Sequence, residues 1–215
     1  MLTAFSAKSQ FEPYRFDAGL QVGMSGYLGD ANTSSVFHKP GVSAALTGRY
    51  RFNARMALKL QAGMAGLRGN SADFDNQLPQ GENFSFRSTV YDLSLRYEFN
   101  FFPYGIGQAY KQLRRVSPYL TAGAGVTIVE TGGVTTAAPC VPLGFGVKYK
   151  ISPRLNVAGE FTMTKVFSDR IDGTTLRDPY GIKSSVLKNT DWHSNIAISI
   201  TYEFGERCED CNYVD

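Results

Sequence analysis

The sequence contains no long hydrophobic run, and this absence limits how the chain could cross a membrane. No stretch of about 18 apolar residues occurs in its 215 residues, so no transmembrane helix is predicted. The sequence is also poor in charge: 19% of its residues are charged and the net charge is +3, too little to favour nucleic-acid binding. Three cysteines are too few for a disulfide framework. With only two histidines, we find no Ser/His/Asp arrangement for nucleophilic catalysis.

The sequence is instead rich in aromatic residues and glycine, with 15 phenylalanines, 12 tyrosines and 22 glycines. The clearest segment runs from Trp192 to Phe204, where every second residue is apolar apart from Ser194 and the residues between are mostly small or polar. Because side chains alternate across a strand, one face is apolar and the other polar. The segment has aromatic residues at both ends and 13 residues in length. A tilted membrane strand needs roughly 9–11 residues, so a strand that crosses a bilayer is favoured.

The same alternation recurs along the chain and predicts eight strands. We expect them at about residues 14–25, 42–52, 56–64, 91–101, 119–129, 141–151, 155–163 and 192–204. Short and long connections alternate between them, as in outer-membrane barrels, which have short periplasmic turns and long outer loops. The sequence therefore predicts an all-β fold: an eight-stranded antiparallel up-and-down transmembrane β-barrel over residues 11–204. We expect it in the outer membrane with both termini periplasmic.

Two details of these strands are also predicted. Upstream of the fourth strand, Phe84 and Phe86 fall on the opposite parity, so we expect a β-bulge near Ser88 to return them to the outer face. Between the fifth and sixth strands we expect a loop through Gly132-Gly133 and Cys140.

Both ends of the chain lie outside the predicted barrel. Residues 1–10 resemble the remnant of a signal peptide, with an ordinary frayed terminus as the alternative. Residues 205–215 form a predicted periplasmic tail that contains Cys208 and Cys211. This CxxC follows a strand, whereas a redox CxxC usually opens a helix, and a zinc site needs two more ligands. We expect a local disulfide or free thiols, with metal binding or attachment to a partner as alternatives.

The inward faces of the predicted strands carry both signs of charge. An eight-stranded barrel is filled by its own side chains, and buried charges must be paired. We therefore predict a network of mutual salt bridges in the lumen, and the alternative is a catalytic pair formed by Glu98 and Glu160. The predicted network consists of Arg15, Asp17, Arg49, Arg51, Lys59, Asp92, Arg96, Glu98, Lys148, Glu160 and Glu203.

The connection over residues 102–118 is the longest on its side of the predicted barrel. Aromatic residues and arginine are enriched at protein interfaces, so we predict that this turn and the tail bind a partner. Contact of the basic turn with anionic lipid phosphate is the alternative. The predicted partner-binding residues are Tyr104, Tyr110, Lys111, Arg114, Arg115, Arg207, Cys208, Cys211 and Tyr213.

Several segments are similar to a known family. They are GYLGDAN (26–32), YRFNARMALKL (50–60), NFSFRSTVYDLSLRYEFNFFPY (83–104), SPYLTAGAGV (117–126) and NTDWHSNIAISITYEFG (189–205). Together they resemble the PorG-like barrels of the Bacteroidetes type IX secretion system, which also carry an uncharacterised-domain label. The resemblance implies an outer-membrane protein of about eight strands that contacts a periplasmic ring made by a lipoprotein and its partner. It implies no enzyme activity. We expect no cofactor.

Two functions are consistent with this sequence. An assembly component of a secretion machine needs periplasmic features beyond minimal turns, and the long turn and the tail provide them. A stand-alone small barrel, either an opacity-type adhesion or defence protein or a lipid-modifying enzyme, would work through its outer loops. We expect the first function, with outer-membrane lipid and the periplasmic ring proteins as partners. We expect no nucleic acid and no small-molecule substrate.

Overall fold

The chain folds into eight β-strands. The computed structural model describes residues 14–28, 40–70, 85–106, 113–131, 134–167 and 192–206. The strands are β1 (Tyr14–Leu28), β2 (Gly41–Arg51), β3 (Met56–Asn70), β4 (Ser85–Asn100), β5 (Val116–Thr131), β6 (Val134–Ser152), β7 (Leu155–Val166) and β8 (Trp192–Glu206). None of the described residues belongs to a helix long and apolar enough to cross a membrane.

The strands form a closed barrel. Each pairs antiparallel with its neighbours in chain order, and β8 pairs back to β1. The closing ladder runs from Tyr14 opposite Glu206 to Leu28 opposite Trp192. Closure gives every strand a partner on both sides, which strands need in lipid because no water is present to satisfy their backbone groups. The predicted eight-stranded antiparallel transmembrane barrel is confirmed.

The alternation of apolar and polar residues in the sequence gives the barrel an apolar outer surface and a polar inner surface. On β8 the side chain of Ile198 is 60% exposed, whereas that of Ala197 beside it is 3% exposed. Leu20 on β1, Leu46 on β2 and Leu95 on β4 are exposed in the same way. Soluble monomers rarely expose a continuous apolar surface larger than a few hundred Å². A barrel wall that is apolar all round is therefore suited to the hydrocarbon of a bilayer.

One end of the barrel, which we call the turn end, is where β2–β3 and β6–β7 are joined by residues 52–55 and 153–154. Near this end, aromatic rings contact one another: the centroid of the Phe16 ring lies 5.2 Å from that of the half-buried Tyr50 and 5.9 Å from that of Phe204, on which it stacks. Such rings form the aromatic girdle of a membrane barrel at the lipid–water interface. The opposite end, the loop end, carries the long connections after β1, β3 and β7.

Asn53 explains why the β2–β3 turn is so short. Its side-chain Oδ1 accepts hydrogen bonds from the backbone N–H groups of Arg55 and Met56, each at 2.8 Å. An Asn side chain that bonds its own backbone two residues on is a common turn former. The turn is therefore fixed by local chemistry.

Two predicted details of the strands are wrong. The expected loop from Gly132 to Cys140 is mostly strand, because β6 begins at Val134 and Cys140 lies within it, buried and opposite Gly125. The threonine, alanine and proline residues of this segment do not show a clear apolar–polar alternation. The segment is nevertheless a strand, because its backbone pairs with that of β5.

The expected bulge near Ser88 is also absent from the described ladder. The β3–β4 register runs without a shift from Met56 opposite Phe99 to Asn70 opposite Ser85. A register shift occurs instead in β6, between Lys150 and Ser152, next to the β6–β7 turn. Bulges are common at barrel rims, where the strand bends into its turn.

Candidate functional site

The lumen contains charged side chains that bind one another in three groups, and the first is centred on Glu160 of β7. Lys59 Nζ donates to its Oε2 at 2.6 Å and to its Oε1 at 2.8 Å. The Tyr119 hydroxyl donates to Oε2 at 2.6 Å, and Arg96 Nη1 donates to Oε1 at 3.3 Å. The carboxylate of one strand thus holds donors from three others.

The second group is centred on Glu98 of β4. Lys148 Nζ donates to its Oε1, and Arg49 Nε lies 3.1 Å from its Oε2. Arg49 Nη1 also donates to Asp17 Oδ1 at 3.1 Å. Arg49 therefore links carboxylates of β1 and β4 across the lumen.

The third group is centred on Glu203 of β8, towards the turn end. Lys150 Nζ donates to both carboxylate oxygens at 2.8 Å, and Asn156 Nδ2 donates to Oε1 at 2.7 Å. Arg51 Nη2 donates to Oε1 and also to Asp17 Oδ2, the latter at 3.1 Å. Asp17 therefore joins this group to the second one.

These groups occupy the interior of the barrel. All three central carboxylates are buried, and so are the lysines and arginines bound to them. Buried charges are tolerated only when they are paired and hydrogen-bonded, and here each carboxylate has at least two cations. Glu98 and Glu160, the alternative catalytic pair, are each bound by lysine and arginine inside the packed lumen. Their geometry is that of salt-bridge partners.

Near the loop end the lumen contains a smaller cluster. His193 Nε2 lies 3.1 Å from Asp92 Oδ2, and Thr127 donates to Asp92 Oδ1 at 2.5 Å. Cys140 is buried with a free thiol. Among the residues that the structure describes, no group of three or more His, Cys, Asp or Glu side chains could hold a metal ion.

The structure places the predicted lumen residues inside the barrel, with the exception of Arg15, for which the prediction is wrong. The Arg15 side chain is exposed although it shares the parity of Asp17. It lies at the end of β1 beside Gly205, whose φ of +75° interrupts the closing ladder. At this rim, parity no longer determines whether a side chain is buried.

The lumen also contains Lys150, Tyr119 and His193, which were not predicted as members of the network. The signal was present for Lys150, because it follows Lys148 by two residues and so shares its face. Tyr119 also has the inward parity of β5, but an aromatic residue in a membrane strand is usually assigned to the outer girdle.

The connection between β4 and β5 folds back onto the turn end of the barrel. Tyr104 is 2% exposed, and its hydroxyl donates to Asn156 Oδ1 at 2.7 Å. Its ring centroid lies 5.5 Å from Lys150 Nζ, 5.7 Å from Lys148 Nζ and 5.8 Å from the guanidinium carbon of Arg51. The prediction that Tyr104 binds a partner is therefore wrong: it is an internal plug held by cation–π contacts.

Other predicted partner-binding residues of this turn remain at the surface. Arg114 and Arg115 are exposed, and the guanidinium carbon of Arg114 lies 4.5 Å from the Phe102 ring centroid. The remaining ones lie outside the described residues: Tyr110, Lys111, Arg207, Cys208, Cys211 and Tyr213.

The fold, the apolar outside and the charged inside define a small barrel of the outer-membrane type. The chain belongs to the family described as "Domain of unknown function (DUF6089)", which it matches over residues 1–213. No curated protein matches it.

Solved structures of outer-membrane proteins are similar to this chain at low sequence identity, and the first of them shares its fold. Neisserial surface protein A is similar at 12% identity and a TM-score of 0.57, over 88% of this chain and 97% of that one. The outer membrane protein OprG from Pseudomonas aeruginosa has 11% identity and a TM-score of 0.49, over 92% and 99%. Ail, the attachment invasion locus protein of Yersinia pestis, in complex with a heparin analogue, has 14% identity and a TM-score of 0.46, over 88% and 99%.

Proposed function

We propose that this protein is a non-enzymatic outer-membrane barrel that serves as a component of a type IX protein secretion machine. The observation that carries the proposal is the lumen of the described barrel, which is occupied by buried, paired charges and by the ring of Tyr104. A small barrel whose lumen is occupied by its own side chains is suited to act through the surfaces that it presents on either side of the membrane. The resemblance of segments such as residues 83–104 and 189–205 to PorG-like barrels supports this particular machine.

In this proposal the turn end and both termini face the periplasm and contact a ring formed by a lipoprotein and its partner. The exposed Arg114 and Arg115 supply the kind of side chain that is enriched at protein interfaces. After Glu206 the sequence continues with a tail that contains Arg207, two cysteines and Tyr213. No cofactor is required for this role.

A stand-alone surface barrel is the second candidate. Three long connections, residues 29–40, 71–84 and 167–191, belong to the loop end. Neisserial surface protein A, which shares the fold, is by its name a surface protein. A protein of this type would act through its loops and would not need the basic turn.

Two variants test the proposal by co-purification of the native protein with its periplasmic partners. One variant ends at Glu206, which preserves the pairing of that residue with Tyr14. The other replaces Tyr110, Arg114 and Arg115 by alanine. We expect both barrels to fold and to remain heat-modifiable on a gel, but to release the ring proteins, because partner contacts are lost while the lumen network is intact.

Arg55→Ala is the matched control, because Arg55 is an exposed arginine in another turn at the same end. It should retain the partners. If the truncated chain and the triple variant both retain them and shortening of the outer loops abolishes function, the stand-alone barrel is the better account.

A further inference from the structure

Lys165 is a charged residue on the lipid-facing side of the barrel wall. Its neighbours on β7, Thr164 and Val166, are buried, whereas Lys165 is half-buried. Because side chains alternate along a strand, Lys165 belongs to the outer face. The other outward positions of β7, from Leu155 to Met163, are uncharged. A lysine on this otherwise apolar face therefore needs a physical reason.

Two aromatic rings lie beside the ammonium group of Lys165. Its Nζ is 5.4 Å from the centroid of the Trp192 ring and 5.8 Å from that of the Phe167 ring. A cation within about 6 Å of a ring centroid is attracted by the negative face of the ring. Trp192 begins β8 and Phe167 follows the last residue of β7, so both rings are at the loop end. The contacts therefore draw the ammonium group towards that end.

The strand register sets the depth of this group in the membrane. The β7–β8 ladder places Lys165 opposite Trp192. On β8 the apolar outer face runs from Trp192 past the exposed Ile198 to Phe204, which belongs to the aromatic girdle of the turn end. Tryptophan marks the lipid–water interface, and a lysine there lays its stem along the apolar wall and holds its charge among the headgroups. The ammonium of Lys165 is therefore at headgroup level in the leaflet of the loop end.

The chemistry of this surface fits a phosphorylated sugar. An ammonium group binds phosphate as a compact point charge with three donors. The Trp192 ring is half-buried and the Phe167 ring is exposed, so each keeps part of its surface for a ligand. The negative face of an aromatic ring attracts the C–H groups on the apolar face of a sugar. In the orientation proposed above, the loop end faces the outer leaflet, which in bacterial outer membranes contains phosphorylated glycolipids.

We propose that Lys165, Trp192 and Phe167 form a binding site for the phosphorylated sugar of an outer-leaflet glycolipid. Lys165 binds the phosphate, and the two rings pack against the sugar. The inference rests on the proposed orientation of the barrel, but it does not depend on any secretion partner. The bound lipid fixes the height of the β7–β8 pair in the bilayer.

Native mass spectrometry of the full chain tests this proposal. The protein is folded into phosphatidylcholine vesicles that contain equal amounts of lipid A, a phosphorylated disaccharide lipid, and phosphatidylglycerol. It is then released into mild detergent, and the retained lipids are counted. We expect the wild type to retain lipid A in preference to phosphatidylglycerol. Lys165→Ala should lower the retention of lipid A about fivefold, the contribution of one basic residue near an anionic membrane, and Lys165→Arg should restore it.

Two further variants separate the parts of the site. Trp192→Leu with Phe167→Leu keeps the charge and an apolar wall but removes both rings, so it should lose the preference for lipid A over phosphatidylglycerol. It also reports on the site if Lys165→Ala folds poorly. Arg55→Ala is the matched control, because it removes one exposed cation at the opposite end of the barrel. It should leave the retention of lipid A unchanged.

Several results would overturn the proposal. The wild type would show no preference for lipid A if a carboxylate of the chain occupied Lys165, or if any anionic headgroup could bind. Retention that is unchanged in Lys165→Ala, or lowered equally in Arg55→Ala, would place the lipid elsewhere. Displacement of lipid A by inorganic phosphate would indicate a site for a soluble anion. Because no periplasmic protein is present, each result is independent of the co-purification that tests the secretion role.

Discussion

Glu160 binds Lys59, Arg96 and Tyr119, which come from three different strands. A single buried carboxylate therefore sets the distance between elements that are far apart in the sequence. The cost of placing these charges in the lumen is offset only while the set is complete, because a lone buried charge has neither water nor a partner.

We predict that Glu160→Ala destabilises the folded barrel by about 3–5 kcal/mol, because Lys59 and Arg96 then remain buried without their carboxylate. Urea titration of the protein in vesicles measures the free energy of unfolding. Thr164→Ala, a buried hydroxyl of the same strand and face, is the control and should cost about 1 kcal/mol. Equal losses in the two variants would mean that the ion pairs do not stabilise the barrel.

On the outer wall, in contrast to the lumen, a charged side chain is expected to destabilise the barrel. Ile198→Arg places a charge in the middle of β8 on the apolar face, and we expect a loss of roughly 2–4 kcal/mol at the bilayer midplane. Val42→Arg introduces the same charge at the end of β2, on an exposed side chain, and should cost about 0–1 kcal/mol. The same vesicle titration compares them, and a cost independent of depth would argue against a membrane-spanning wall.

At the scale of elements, the β4–β5 connection is the part of the barrel that differs most from a minimal turn. Tyr104 N donates to Ala54 O at 3.0 Å, Arg114 N donates to Pro103 O at 2.7 Å, and Gly105 N donates to Arg114 O at 3.0 Å. These bonds fasten the two ends of the connection to each other and to the β2–β3 turn. The element that we expect to contact a partner is therefore anchored through Tyr104 to the charged lumen.

We predict that Tyr104→Ala loosens this connection, because it removes both the hydrogen bond to Asn156 and the ring between three cations. Trypsin should then cleave more rapidly at Lys111, Arg114 or Arg115 in the folded protein. Tyr104→Phe keeps the ring and loses only the hydrogen bond, which is worth about 1 kcal/mol, so its cleavage should stay close to that of the wild type. Cleavage that is unchanged in Tyr104→Ala would mean that the connection is held without its plug.

At the scale of the whole molecule, much of the fold was predictable from the sequence because the barrel wall obeys a two-residue period. Leu95 and Ser94 lie on the faces that alternation assigns to them. The same parity placed Glu98 and Glu160 in the lumen. The alternation does not predict which charges pair across the barrel. Contacts such as that of Lys59 with Glu160 depend on how the barrel closes and on the stagger between its strands.

The failures have local causes. In the segment that precedes Cys140, small and polar residues conceal a strand whose backbone is satisfied by β5. Tyr104 was assigned to the surface because its turn is basic and aromatic, and only the folded chain shows that its ring enters the barrel. Arg15 has the right parity but lies at a rim, where parity no longer determines burial.

Cysteine labelling of intact cells measures directly which end of the barrel faces the periplasm. In a background with Cys208 and Cys211 replaced by serine, the remaining Cys140 is buried in the lumen. Single cysteines at Ser34, Ser71 or Thr174, in the long connections, should react with a membrane-impermeant maleimide. Cysteines at Arg55 or Pro153, in exposed short turns, should react only after the outer membrane is permeabilised. Labelling of the short turns on intact cells, with protection of the long connections, would invert the barrel and contradict the account.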